Sequence, residues 1–80
     1  IFALSKPING EPACHGNGST IGFAVETTEA GDAWHAAGLA NGGVTCEDPP
    51  GIRGNDEIQM YLAYLRDPAG NKICAMKRVK

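Results

Sequence analysis

The chain has 80 residues, of which 42% are hydrophobic and 20% charged, so its composition is that of one small globular domain and excludes a disordered or fibrous chain. Seven basic and nine acidic residues give a net charge of -2, which argues against nucleic acid and anionic membranes as partners, because both require a basic surface. Three widely spaced cysteines predict neither a disulfide framework nor a zinc knuckle and favour a reducing cytoplasm.

The first four residues form an apolar run that ends before Pro7, because proline has no amide hydrogen with which to continue a strand ladder. The run predicts a strand, and it is far shorter than the roughly 20 apolar residues of a membrane span. A chain that opens with Ile1 also suggests a fragment of a longer polypeptide, a processed chain or an artificial boundary. Residues 8–18 are rich in glycine, asparagine and proline, and they predict an irregular linker.

A half-buried strand is predicted at residues 19–26. Ile21, Phe23 and Val25 alternate with smaller or polar residues, and a period of two is typical of a strand with one buried side. The opposite side carries small residues such as Gly22, so a bulky group could approach the sheet there.

A helix is predicted from an N-cap at Thr27 or Thr28 to about Asn41. Gly31 and Gly38 each weaken this helix by about 1 kcal/mol relative to alanine, so packing on a sheet must stabilise it. Spacings of three and four define its predicted buried stripe, which consists of Ala30, Ala33, Trp34, Ala37 and Ala40.

The second half of the chain predicts three more strands. A short one is expected at 44–46, and a loop rich in glycine and proline covers 47–57. The strands at 58–66 and 72–77 are joined by a strong turn signal at 67–71, so the last twenty residues predict a hairpin. From residue 19 onward the predicted order is β-α-β-β-β.

Five segments of the chain together form a specific pattern: 16–25 (GNGSTIGFAV), 32–37 (DAWHAA), 42–43 (GG), 50–53 (PGIR) and 63–73 (AYLRDPAGNKI). In this order they resemble the second half of the vicinal-oxygen-chelate superfamily, which includes glyoxalases, bleomycin resistance proteins and extradiol dioxygenases. The resemblance implies an α+β fold with one βαβββ module at 19–80, whose mixed curved sheet carries one helix on its outer face. It also implies a linker at 8–18 and, at 1–7, the last strand of a truncated first module.

The resemblance further implies a cavity enclosed between the sheets of two such modules. Catalytic members bind a divalent metal there through His, Gln or Glu side chains, whereas bleomycin-binding members hold a ligand without metal. Here Thr20 stands where metal-binding relatives commonly carry histidine, and Cys74 stands where they carry glutamate. Neither residue suits the metals of the family, so we expect no metal and no cofactor in this module unless the ligands come from elsewhere.

The expected ligand cavity is lined by Thr20, Gly22, Arg53, Tyr61, Tyr64 and Cys74. A guanidinium group and phenol rings recognise polar or aromatic ligands in many pockets. The alternative is that Arg53 is a surface charge and that both tyrosines pack within the sheet.

No catalytic residue is assigned. Cys46 and Cys74 have no predicted histidine base beside them, and buried cysteine usually behaves as a small apolar residue. His15 in the linker and His35 on the helix are predicted to be surface residues. The acidic pairs at 47–48 and 56–57 are predicted to be solvated charges.

Two functions from different classes fit these observations. The first is a protein of the drug-sequestering kind that binds a small organic molecule without metal. The second is a metal-dependent lyase, isomerase or dioxygenase whose metal ligands come from a first module or a partner chain, and a truncated product without activity is a third option. Half a barrel exposes an apolar face and a strand edge, so we expect homodimerisation, including by strand exchange, or pairing with an N-terminal module.

Overall fold

The computed structural model describes residues 1–80 and contains one helix and five strands. The elements in chain order are β1 (Ile21–Ala24), α1 (Thr28–Ala40), β2 (Val44–Thr45), β3 (Gly51–Gly54), β4 (Gln59–Arg66) and β5 (Lys72–Arg78). The predicted α+β class is confirmed. The 13-residue helix is not long and apolar enough to cross a membrane.

All five strands belong to one mixed, curved sheet. Its order is β1-β5-β4-β2, and β3 also pairs with β4. β1 runs parallel to β5, whereas β4 runs antiparallel to β2, β3 and β5. The central pair is therefore the hairpin of β4 and β5, as the turn signal at 67–71 predicts.

The turn between β4 and β5 is held by the carboxylate of Asp67. It accepts hydrogen bonds from the backbone N–H groups of Ala69 (3.0 Å) and Asn71 (2.8 Å). Burial raises the pKa of Asp67, but the hydrogen bonds from Asn71, Ala69 and Gly70 outweigh burial, so the pKa lies below its usual value. The charged form of Asp67 therefore stabilises the hairpin.

Two strand predictions need correction. Residues 1–4 form no strand, because no backbone hydrogen bond joins them to another segment; Phe2 instead packs edge-to-face against Phe23, with ring centroids 5.6 Å apart. The assignment of residues 1–7 to a preceding module stays a prediction. Conversely, β3 lies inside a segment predicted as loop, and it forms because residues 51–54 pair with β4.

The bounds of α1 agree with the prediction. Thr27 is the N-cap, and its hydroxyl oxygen accepts a hydrogen bond from the Ala30 N–H at 3.0 Å. At the other end Asn41 is the C-cap, and its N–H donates to the Gly38 carbonyl oxygen at 3.1 Å. Local capping therefore determines both ends of this helix.

The buried side of α1 differs from the prediction. Ala30, Ala33, Ala37 and Ala40 are exposed, and the helix packs through Gly31, Trp34, His35 and Gly38. A Cβ atom on Gly31 would overlap the ring of Tyr61, and one on Gly38 would overlap Leu65. The helix turns its two glycines to the sheet because only glycine lets its backbone approach β4 this closely.

His35 is buried, with 8% of its surface exposed, so its prediction as a surface histidine is wrong. It lies four residues after Gly31 and therefore on the same helix face. Its Nε2 shares a hydrogen bond of 3.1 Å with Thr45 Oγ1. This contact joins α1 to β2.

Candidate functional site

The sheet has one side that α1 covers and one side that it does not. Tyr61, Ala63 and Leu65 are the buried residues of β4 that face α1. Because side chains alternate along a strand, the residues between them face the other way. We call this other side the open face. Its charged members in β4 and β5 are Arg66, Lys72 and Arg78, and its uncharged members in β1, β4 and β5 are Gly22, Ala24, Met60, Leu62, Tyr64, Cys74 and Met76.

Gly22, Cys74 and Met76 lie together on the open face. A Cβ atom on Gly22 would stand 2.6 Å from the sulfur of Met76 and 3.5 Å from that of Cys74. Cys74 is 4% exposed, and burial raises its pKa, so its thiol stays protonated at neutral pH. The structure thus brings Gly22 and Cys74 together, whereas Thr20 is exposed and precedes β1.

Tyr64 is the cross-strand neighbour of Cys74 and lies close to two cations. The Nζ atom of Lys72 is 4.8 Å from the centroid of its ring, and the Cζ atom of Arg53 is 5.7 Å from it. Both distances permit cation–π attraction. Lys72 also forms an ion pair with Glu47, whose hydrogen bond raises the pKa of Lys72.

The guanidinium group of Arg53 donates hydrogen bonds to backbone carbonyl oxygens and is therefore not free to bind a ligand. Its Nη1 donates to the carbonyl oxygens of Gly51 (3.1 Å) and Leu62 (2.6 Å). Its Nη2 donates to those of Asp48 (2.8 Å) and Pro49 (2.9 Å). The guanidinium therefore fixes the loop before β3 against β4, a structural role that neither sequence alternative included.

Tyr61 is separated from the other expected cavity residues. It is 2% exposed, and its hydroxyl donates to Asp32 Oδ1 of α1 at 2.7 Å. Burial and this hydrogen bond raise its pKa well above the usual range. The prediction that Tyr61 lines the cavity is therefore wrong. Tyr61 and Tyr64 point to opposite sides of the sheet, and Tyr61 packs under the helix.

The side chains of this module do not fit a divalent metal. No three His, Cys, Asp or Glu side chains converge anywhere in residues 1–80. Cys74 is a protonated thiol beside thioether and aromatic groups, and His35 is bonded to Thr45 on the helix side. His15 is exposed, as predicted, and its Nδ1 lies 2.6 Å from the Gly16 carbonyl oxygen.

The open face is not an enclosed cavity in the single chain. The largest concavity, of about 580 Å³, lies within residues 4–13 and is lined by that segment alone. On the open face Gly22 and Ala24 are exposed, and Met60, Leu62 and Tyr64 are half-buried. A ligand on this face would be covered on one side only.

Several residues around Tyr64 were not singled out from the sequence. Met60 and Met76 could have been assigned to the open face, because strand alternation places them with Tyr64 and Cys74. The contact of Lys72 with Glu47 could not be predicted from a local sequence pattern, because it joins β5 to the loop after β2. Glu47, predicted to be a solvated charge, is exposed and also forms an ion pair with Lys72.

Neither the scan against models of protein families nor the search of curated proteins found a match. A search of solved structures found the crystal structure of a glyoxalase/bleomycin resistance protein from Albidiferax ferrireducens T118. The two chains are 67% identical in sequence and superpose with a TM-score of 0.79. The match covers 88% of this chain and 55% of that one, so this chain spans just over half the length of its relative.

Proposed function

Because this chain is a module of the glyoxalase/bleomycin resistance family, we propose that it forms one wall of a cavity that binds a small organic molecule, without a metal of its own. The observation that carries the proposal is the open face. It is the side of a curved sheet that α1 leaves uncovered, and uncharged side chains occupy its centre. Sites for small molecules are usually concave and mostly apolar.

The side chains of the open face favour an apolar or aromatic ligand. Met60, Met76 and Cys74 carry polarisable sulfur atoms, and methionine adapts its shape to irregular partners. Sulfur also makes favourable contacts with aromatic rings. Gly22 has no side chain, and the sulfur of Met76 occupies the space beside it.

A second module would close the cavity. Only 7 of the 80 residues are buried in the single chain, and Met60, Leu62 and Tyr64 of the open face are only half-buried. We propose that either an N-terminal module of a longer polypeptide or a second copy of this chain covers the open face. We also propose a reducing cytoplasm as the location of this protein, because its three cysteines are free.

Two kinds of NMR signal can test ligand binding to the open face. The chain has two methionines, Met60 and Met76, which both lie on the open face, and one tryptophan, Trp34, on the helix side. The protein would be labelled at its methionine methyl groups and titrated with 1-naphthalenemethanol, a neutral aromatic probe. We expect saturable shifts of both methyl signals and none of the Trp34 indole signal.

A matched pair of variants makes the test specific. Gly22→Leu fills the open face and should weaken binding by about tenfold, which corresponds to about 1.4 kcal/mol. Ala33→Leu adds the same side chain on the exposed side of α1 and should leave binding unchanged. Methyl signals that never shift would contradict the proposal, and binding that requires an added divalent metal would favour the metal-dependent enzyme.

A further inference from the structure

Two cations lie side by side at one end of the sheet. Arg66 of β4 is the cross-strand partner of Lys72 of β5, and like charges in directly opposite positions repel each other. Only one carboxylate, that of Glu47, pairs with them, and it contacts Lys72. Arg66 donates to the Gly70 carbonyl oxygen at 2.8 Å and has no acidic partner. We call Arg66, Lys72 and Glu47 the polar end of the open face.

Glu47 is held at the polar end by its backbone. Its φ of 59° lies in the left-handed region, and it is the one residue other than glycine with a positive φ. The next two residues, Asp48 and Pro49, have their carbonyl oxygens bound by Arg53. Arg53 therefore acts as a positioning residue that keeps the Glu47 carboxylate beside Lys72.

Lys72 connects the polar end to the uncharged part of the open face. Its ammonium group lies over the ring of Tyr64, whose cross-strand neighbour is Cys74. The Lys72 side chain keeps 24% of its surface exposed, and that of Glu47 keeps 44%, so a dissolved carboxylate can reach both. A molecule that contacts the side chains of Met60, Met76 and Cys74 could therefore place an acidic group on Lys72.

We propose that the ligand of the open face is an organic anion with an apolar body, and that its carboxylate takes the place of Glu47 on Lys72. The inference rests on the function proposed above and adds the chemical class of the ligand. One carboxylate replaces another on the same ammonium group, so the exchange leaves Lys72 paired. Arg66 gives the incoming group a second cation that Glu47 does not use.

Two probes with the same ring and different charge test the exchange in the full chain. These are 1-naphthoate and the neutral 1-naphthalenemethanol, with the methyl signals of Met60 and Met76 as the readout. We expect the wild-type protein to bind naphthoate about tenfold more tightly than the alcohol, because a hydrogen bond to a charged group is stronger than a neutral one.

Variants at the ion pair identify the cation and its competitor. Lys72→Met should reduce the preference for naphthoate, and Arg66 accounts for what remains. Lys77→Met, on the helix side of β5, is the matched control and should keep the preference. Glu47→Gln should raise the affinity for naphthoate by about two- to fivefold, because the internal carboxylate no longer competes. Glu57→Gln should change nothing.

The outcomes separate the two proposals. Equal affinity for both probes overturns the anion proposal and leaves ligand binding by the open face intact. A preference for naphthoate that is undiminished in Lys72→Met also overturns it, because Lys72 then takes no part in binding the anion. If neither probe binds, both proposals fail.

Discussion

Gly31 lies where α1 touches β4, and the ring of Tyr61 fills the space that a side chain would occupy. Tyr61 is itself fixed by its hydrogen bond to Asp32, the residue that follows Gly31 in the same helix. The ring therefore has little freedom to move away from an added methyl group. The same glycine that weakens the isolated helix is the residue that lets the helix dock.

Gly31→Ala should destabilise the protein by about 1–3 kcal/mol, because the unfavourable overpacking against Tyr61 exceeds the favourable change in helix propensity. Propensity alone predicts the opposite sign, a gain of about 1 kcal/mol. Urea unfolding followed by circular dichroism measures the difference. Ala33→Gly, on the exposed side, is the control and should lose about 1 kcal/mol. A stabilised Gly31→Ala would show that the Tyr61 contact is loose.

At the scale of elements, β3 depends on a single side chain. The strand has four residues, two of them glycine, and its segment has the composition of a loop. The guanidinium of Arg53 binds four backbone carbonyl oxygens and ties the strand and the preceding loop to β4. The start of the helix, in contrast, needs no contact with a distant element, because Thr27 caps it through one local hydrogen bond.

Arg53→Met should lower the free energy of unfolding by about 2 kcal/mol, because methionine keeps the bulk but donates none of these hydrogen bonds. Hydrogen exchange should show the largest loss of protection in the amides of β3. Arg78→Met is the matched control: Arg78 is exposed, donates only to the Lys80 carbonyl oxygen, and should cost less than about 0.5 kcal/mol. Equal effects of the two variants would refute the structural role of Arg53.

At the scale of the whole molecule, the helix covers one side of the sheet and leaves the other without a layer. A domain of this size buries a smaller fraction of its surface than a larger domain does, and here the buried hydrophobic cluster consists of Tyr61, Ala63 and Ala75. An uncovered sheet face of this kind is a typical association surface.

We expect the purified chain to self-associate, with a light-scattering mass above the 8.4 kDa of one copy that rises with concentration. Leu62→Lys places a charge in the middle of the open face and should shift the equilibrium toward the monomer. Leu39→Lys, on the exposed side of α1, is the control and should not. A monomeric mass up to about 1 mM would exclude a second copy as the partner that closes the cavity.

Much of the architecture follows from local patterns. The cap at Thr27, the turn at 67–71 and the alternation along β1 each involve neighbouring residues. The bounds of the helix and the order of the elements from residue 19 onward, apart from β3, could therefore be predicted from the sequence. The placement of Gly22 and Cys74 on one face was likewise predictable, because strand parity is a local property.

The tertiary structure decided which groups meet. His35 is buried because β2 comes to it, Arg53 is occupied because a loop folds over it, and Lys72 meets Glu47 across 25 positions of the chain. These contacts depend on how closely separate elements approach one another, and two helix glycines set that distance. Periodicity and capping act over a few residues, so they determine the elements, whereas packing between elements determines the site.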